Sequence, residues 1–203
     1  YFADTEKRFV PFSDYIPRVR NHYLTVPHYL EDFYQMYGRP QYYNENDLRL
    51  NIARMQTALK ANFRHPSQAL CKIQSDEEYY KYRNLMFMHI NLLIMRDYLK
   101  IATRYDKQVV RFYDYSWQKE ITESLDIASG LYREALPYWA EAKRYAERAS
   151  KVRLTTDLGT IESERYSIIT GELDYERIIK NYLARVERNK AELNRLAAKY
   201  EGR

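Results

Sequence analysis

The sequence predicts an all-α protein: an elongated bundle of about four to six helices with an extended N-terminal arm. Three observations favour this class. Only five of the 203 residues are glycine and six are proline, so few points interrupt regular structure. Apolar residues recur at helical spacing in several long stretches. The 22 tyrosines are spread along the chain, and a large ring that ends in a hydroxyl suits half-buried helix surfaces.

We expect one elongated helical domain over residues 1–203, made of an N-terminal part (1–43) and the bundle proper (44–203). The N-terminal part begins with an extended arm at about 1–26, where two prolines interrupt a stretch whose aromatic residues follow no period. A short helix follows at about 27–37, with a proline in its first turn and a glycine at its end.

The bundle begins with two predicted helices. The first covers about 44–64, where apolar residues recur at intervals of four, three and four. The second covers about 76–105, because Ser75 and Glu78 form the capping-box pattern and an apolar run follows them. This run, Leu85 to Met95, is apolar on nearly all sides, which predicts the central helix of the bundle.

The strictest pattern in the chain extends from about 116 to 151. Small and large apolar residues alternate there at heptad spacing, and a small residue in each heptad lets a partner helix approach closely. Pro137 lies inside this helix and removes one backbone N–H, which predicts a bend. A last helix continues to about Tyr200, with a break around Thr170-Gly171. The residues expected to form the helix-packing seam are Ala128, Tyr132, Ala135, Trp139 and Ala142.

Composition and motifs argue against several classes of function. The 33 basic and 28 acidic residues give a net charge of +5 that is spread along the chain, whereas nucleic-acid binding needs a basic stripe on one face. The longest apolar run is shorter than the ~20 residues that cross a bilayer, so no membrane span is expected. The four histidines lie in different segments and Cys71 is the only cysteine, so no metal site is indicated. The sequence contains no phosphate-binding loop or nucleophile motif, and we expect no cofactor and no enzymatic activity.

His89 lies on the central helix and is the one histidine in a pocket-like setting. The simpler interpretation is a hydrogen-bonded core histidine, since buried polar groups are usually satisfied. An enclosed polar pocket beside it would instead favour a ligand site or an enzyme.

Two aromatic clusters are candidate interface residues. Adjacent aromatic residues on a helix cannot all point to one side, so some must face outward or onto another segment. They either pack over the end of the bundle or form a partner-binding surface, in which tyrosine and tryptophan commonly supply the binding energy. The candidates are Phe112, Tyr113, Tyr115 and Trp117, extended by Tyr42 and Tyr43.

A resemblance to a known family rests on two segments, Ser124 to Ala128 and Tyr138 to Lys143, and on the tyrosine-rich middle of the chain. They resemble the helical periplasmic proteins of spirochaetes, above all the flagellar-coiling proteins that coat the periplasmic flagellar filament as a sheath. The resemblance covers about a third of the chain. It implies an exported, all-helical coat subunit in the periplasm that serves motility and binds filament core and other sheath proteins. That family offers no catalytic residues to carry over.

Together these features predict a non-enzymatic structural or interaction subunit of a larger assembly, with a flagellar filament sheath as the specific expectation. Its partners would be other protein subunits, including further copies of itself. The alternative is a helical module that binds a peptide or a nucleic acid. A basic stripe on the folded surface would favour nucleic acid, whereas an aromatic patch with mixed charges would favour protein assembly.

Overall fold

The computed structural model describes residues 45–60, 73–106, 117–154, 156 and 158–201. These residues form five α-helices, and no strand occurs in this part of the chain, which confirms the all-α prediction. The predicted arm and the short helix before residue 45 lie outside the described residues. The helices are α1 (Glu45–Lys60), α2 (Asp76–Tyr105), α3 (Gln118–Ser150), α4 (Gly159–Thr170) and α5 (Tyr175–Glu201).

The central position belongs to α2, as its apolar run predicts. Every residue from Leu85 to Met95 is buried, because α1, α3 and α4 all pack against this helix. Its start is a cap in which the Ser75 hydroxyl accepts from the Glu78 amide at 3.1 Å. The Glu78 carboxylate accepts from the backbone N–H of Gln74 at 2.6 Å. In a capping box this bond usually comes from the capping residue, and Gln74 is the residue before it.

α2 and α3 form a long antiparallel pair. Near the start of α2, the Lys81 ammonium donates to the carbonyl of Val152, which follows α3, at 3.3 Å. Further along, the Tyr98 ring stacks on that of Tyr138 at 5.7 Å. At the other end the Ser124 hydroxyl donates to the carbonyl of Tyr105 at 2.9 Å. With 30 and 33 residues, the two helices are each about 45–50 Å long.

The chain then returns along α3 through α4 and α5. Gly171 ends α4 with a positive φ of 77°, a left-handed conformation that other residues rarely adopt. This is the break expected near Thr170-Gly171. α5 is antiparallel to α3, since its first residue, Tyr175, meets Trp139 at 5.5 Å while Lys190 pairs with Asp126 at 2.7 Å.

The predicted seam of α3 is buried along its whole length. Alanine in each heptad leaves room for the neighbouring helices, while Tyr132 and Trp139 fill the space beside them. α3 continues as one helix through Pro137, whose ring is exposed. The five seam residues are exposed by 4% or less: Ala128, Tyr132, Ala135, Trp139 and Ala142.

Leucine at Ala135 or Ala142 should overpack the seam and lower the free energy of unfolding by about 1–3 kcal/mol. Both alanines are fully buried, so the added carbons would force the neighbouring helices apart. Chemical denaturation measures the effect. The matched control is Ala140→Leu, an exposed alanine of the same helix, which should change stability by less than about 0.5 kcal/mol. Equal, small effects at all three positions would show that the seam is not closely packed.

Candidate functional site

A cluster of ion pairs joins α2 to α4. Lys81 and His89 lie two helical turns apart on α2, and each meets a glutamate of α4. The Lys81 ammonium is 2.9 Å from Glu162, and the Nδ1 atom of His89 is 3.2 Å from Glu164. Arg96, a further two turns along, lies 2.7 Å from the other oxygen of Glu164. Both oxygens of Glu164 are therefore engaged by α2.

Arg96 also ties the cluster to the start of α5. Its Nε donates to the Tyr175 hydroxyl at 3.2 Å, and its guanidinium carbon lies 5.7 Å from the centre of that ring. Burial alone would raise the pKa of Glu164, but the positive charge of Arg96 and the His89 hydrogen bond lower it to about 2. Burial alone would lower the pKa of Arg96, yet interactions with Tyr175 and Glu164 raise it above its ordinary value. The cluster thus holds three helices together, and His89 lies inside it as a core histidine.

A second set of polar contacts between helices lies where α2, α3 and α5 meet. We call it the Asp106 tie, and the cluster around Glu164 the Glu164 tie. The Asp106 side chain, just after α2, is 1% exposed. One of its oxygens accepts from the Tyr132 hydroxyl of α3 at 2.9 Å and from the Arg185 guanidinium of α5. Arg185 also lies 4.8 Å above the ring of Tyr182. Burial, then the charge of Asp106, raises the pKa of the Tyr132 phenol well above its usual range, so it stays a donor.

Four helix termini meet at this end of the bundle. The Glu45 carboxylate at the start of α1 accepts from the Tyr105 hydroxyl at the end of α2, at 2.9 Å. Ser124, in the second turn of α3, binds the carbonyl of the same Tyr105. α5 stays packed down to Ala197, which is 5% exposed, so its last turns also lie here. We call this region, with Trp117 and Tyr200, the α3-start end.

Large aromatic side chains are exposed at the α3-start end. Trp117, the residue before α3, is 55% exposed, and Tyr200, near the end of α5, is 49% exposed. Trp117 is the one predicted interface residue that the structure describes. In the sequence, the other members of one cluster immediately precede Trp117, and the second cluster precedes the start of α1. The remaining candidates lie outside the described residues: Phe112, Tyr113, Tyr115, Tyr42 and Tyr43.

An open groove of about 610 Å³ follows α3 beside Pro137 and the first two turns of α5. Its floor is apolar and includes Pro137, Trp139 and Ala140. Four basic and two acidic side chains line it, among them Lys143 and Lys180. The sequence shows each of these residues, but only the contact between α3 and α5 brings them together in one groove.

Sequence reasoning missed the charged partners of both ties and the exposed face of α4. Glu164 and Asp106 stand in stretches of mixed charge, where periodicity gives no sign of a buried partner. On α4, Tyr166 is 58% exposed and Ile169 is 43% exposed. Their spacing of three residues could have indicated a shared helix face.

Comparison with known proteins places the chain in a family. Residues 77–196, which are 120 of its 203 residues, match a family model described as "Domain of unknown function (DUF8513)". The chain belongs to this family. The matched region extends from the first turn of α2 to the last turns of α5 and so includes both buried ties. No curated protein and no solved structure matches the chain.

Two further findings concern the described residues alone. None of their helices is long and apolar enough to cross a membrane. Within the same residues, no three histidine, cysteine, aspartate or glutamate side chains are placed to hold a metal ion together.

The stability provided by Glu164 should disappear in acid. Its folded pKa, about 2, lies below the ordinary 4.5, so its contribution is complete above about pH 4.5 and is lost as the pH falls towards 2. Glu164→Gln should therefore lower the free energy of unfolding at pH 6 by on the order of 3 kcal/mol, a difference that shrinks towards zero near pH 2. Urea unfolding at several pH values measures it.

The control for this experiment is Glu147→Gln, which removes an exposed carboxylate from α3. It should change stability by less than about 0.5 kcal/mol at every pH. A Glu164→Gln deficit that stays constant from pH 6 to pH 2 would mean that the ion pairs of Glu164 do not stabilise the fold.

Proposed function

We propose that this protein is a non-enzymatic structural subunit that binds other protein subunits through the α3-start end. The observation that carries the proposal is the exposure of two large aromatic side chains, Trp117 and Tyr200, at one end of the bundle. Tryptophan and tyrosine are enriched among the residues that dominate binding energy in protein interfaces. Single exposed apolar residues are ordinary, whereas two large aromatic ones at the same end of a molecule favour an interaction surface.

Rigidity of the same end supports the proposal. The Asp106 tie fixes the end of α2 against α3 and α5, and Glu45 fixes the start of α1 to Tyr105. A surface that is already ordered before binding loses less conformational entropy when a partner docks. The helices that position Trp117 are therefore already packed in place before a partner binds.

The buried charges favour a structural role as well. The charged side chains of the two ties connect different helices. Glu164 connects α4 to α2, and Asp106 connects the end of α2 to α3 and α5. Such pairs help to specify how helices dock, and breaking one by removing a partner is costly. They support a scaffold whose function lies on its surface.

The finer form of the proposal is a sheath subunit of a periplasmic flagellar filament. It rests on the resemblance of Ser124 to Ala128 and Tyr138 to Lys143 to the flagellar-coiling proteins. Both segments belong to α3, the longest helix described, and the first lies near the α3-start end. A coat subunit needs an elongated rigid body and a terminal contact surface, and α3 contributes to both.

The proposal of a structural subunit, with or without a flagellar role, predicts partner contact at the α3-start end in the source cell. A photo-cross-linking residue at Lys119, exposed two residues after Trp117, should form adducts with other protein subunits. Adding Trp117→Ala should weaken binding by about 2 kcal/mol or more, which is on the order of thirtyfold in Kd, and adduct yield should fall accordingly. The melting temperature of Trp117→Ala should change by only a few degrees, because the side chain is mostly in water.

The matched control places the same cross-linker at Lys151, which is exposed at the opposite end of α3 and lies outside the groove beside Pro137. It should give few adducts. Equal yields at the two positions, or a Trp117→Ala variant that unfolds, would mean that Trp117 is not part of a partner surface.

Fractionation tests the sheath proposal separately. The protein should remain with washed flagellar filaments isolated from the source cell. If all of the protein were recovered in fractions without filaments, the flagellar role would be contradicted. Cross-linking at Lys119 would still decide whether the protein is a structural subunit that binds other proteins.

A further inference from the structure

The groove beside Pro137 combines an apolar floor with a basic rim. On α3 its lining extends from Arg133 to Glu147, about 21 Å along the helix. The other wall is the first two turns of α5, represented by Glu176 and Lys180. The floor beneath is firm, because Trp139 is buried and packs edge-on against Tyr175. The groove therefore follows α3 for about four helical turns, and α5 forms its second wall along part of that length.

Charge in the groove is positive but moderate. Four basic side chains face two acidic ones, so the lining carries a net charge of +2. Lys180 pairs with Glu176 at 2.5 Å, and Arg144 pairs with Glu141 beside the groove. Lys143 is exposed and has no ion-pair partner among the described residues. An incoming carboxylate would find Lys143 available and the other cations close by.

We infer that this groove binds an acidic amphipathic helix of a partner protein. A helix laid along α3 would place apolar side chains, one turn apart, over Pro137 and Ala140. Its flanking glutamate or aspartate side chains would reach Lys143 on one wall and Lys180 on the other. Pairing at the rim sets orientation and association rate, while the apolar floor supplies most of the buried contact area.

The same features disfavour a nucleic acid as the occupant. Glu147 and Glu176 belong to the lining and would repel a phosphate backbone. Most of the affinity for nucleic acid comes from neutralising several phosphates, which needs an unbalanced run of basic residues. A helix with two or three carboxylates matches a net charge of +2 better. This surface is separate from Trp117, so the inference does not depend on the proposed function.

The test measures fluorescence anisotropy of the full chain with three labelled probes. The first is a designed amphipathic helix of about 16 residues with leucines on one face and glutamates beside them. The second has lysine in place of each glutamate, and the third is a single-stranded oligonucleotide. The acidic helix should bind, the basic helix should not, and the oligonucleotide should bind more weakly than the acidic helix.

Variants locate the binding. Lys143→Glu and Lys180→Glu should each raise the Kd of the acidic helix by at least about tenfold. Ala140→Trp, which fills the floor without changing charge, should have an effect of similar size. The matched control Lys199→Glu reverses an exposed charge at the other end of α5 and should leave the Kd within about twofold. Trp117→Ala should also leave it unchanged. Circular dichroism melts confirm that each variant is folded.

Three results would overturn the inference. If the acidic helix does not bind, the groove is not a site for such helices. An equal loss of affinity in Lys199→Glu would show attraction to the overall positive charge instead of the groove. Tighter binding of the oligonucleotide, weakened by the same two groove variants, would assign the groove to nucleic acid.

Discussion

A helix as deeply buried as the middle of α2 must find partners for the polar side chains that it buries, and α2 carries several of them. Lys81 and His89 are buried and Arg96 is partly buried, and each would be costly to bury without a partner. Glu162 and Glu164 of α4 supply their partners, so α4 must lie against α2. Arg96 then reaches Tyr175, which places the start of α5. The burial of α2 thereby determines where the chain goes after α3.

The alanine seam of α3 makes this arrangement possible from the other side. Small side chains let α3 lie close to its neighbours, and aromatic residues at intervening positions fill the remaining space, as Tyr132 does against Tyr182. Tyr132 also turns its hydroxyl to Asp106, so one side chain serves both the apolar seam and the polar tie. Close packing and ion pairing therefore reinforce each other at the junction of α2, α3 and α5.

Two surfaces follow from this scaffold. The α3-start end presents Trp117 where four helix termini are held together, and the groove beside Pro137 lies over the buried Trp139. We propose both as contact surfaces for other proteins.

The sequence by itself determined the helices and the inward faces of the longest ones. Few breakers, the Ser75 cap and the heptad alanines are local signals, and they predicted α2 from 76 to 105 and the burial of Ala135. Tertiary structure decided which charges are buried together and which side chains meet across helices. Glu164 and Arg96, which form an ion pair, are distant in sequence, and so are Lys143 and Lys180, which line the same groove. A charged residue in an amphipathic pattern looks the same whether it faces water or a partner. Only the docking of the helices distinguishes the two, because pairing depends on distance in space and periodicity reports only the orientation of a residue around its own helix.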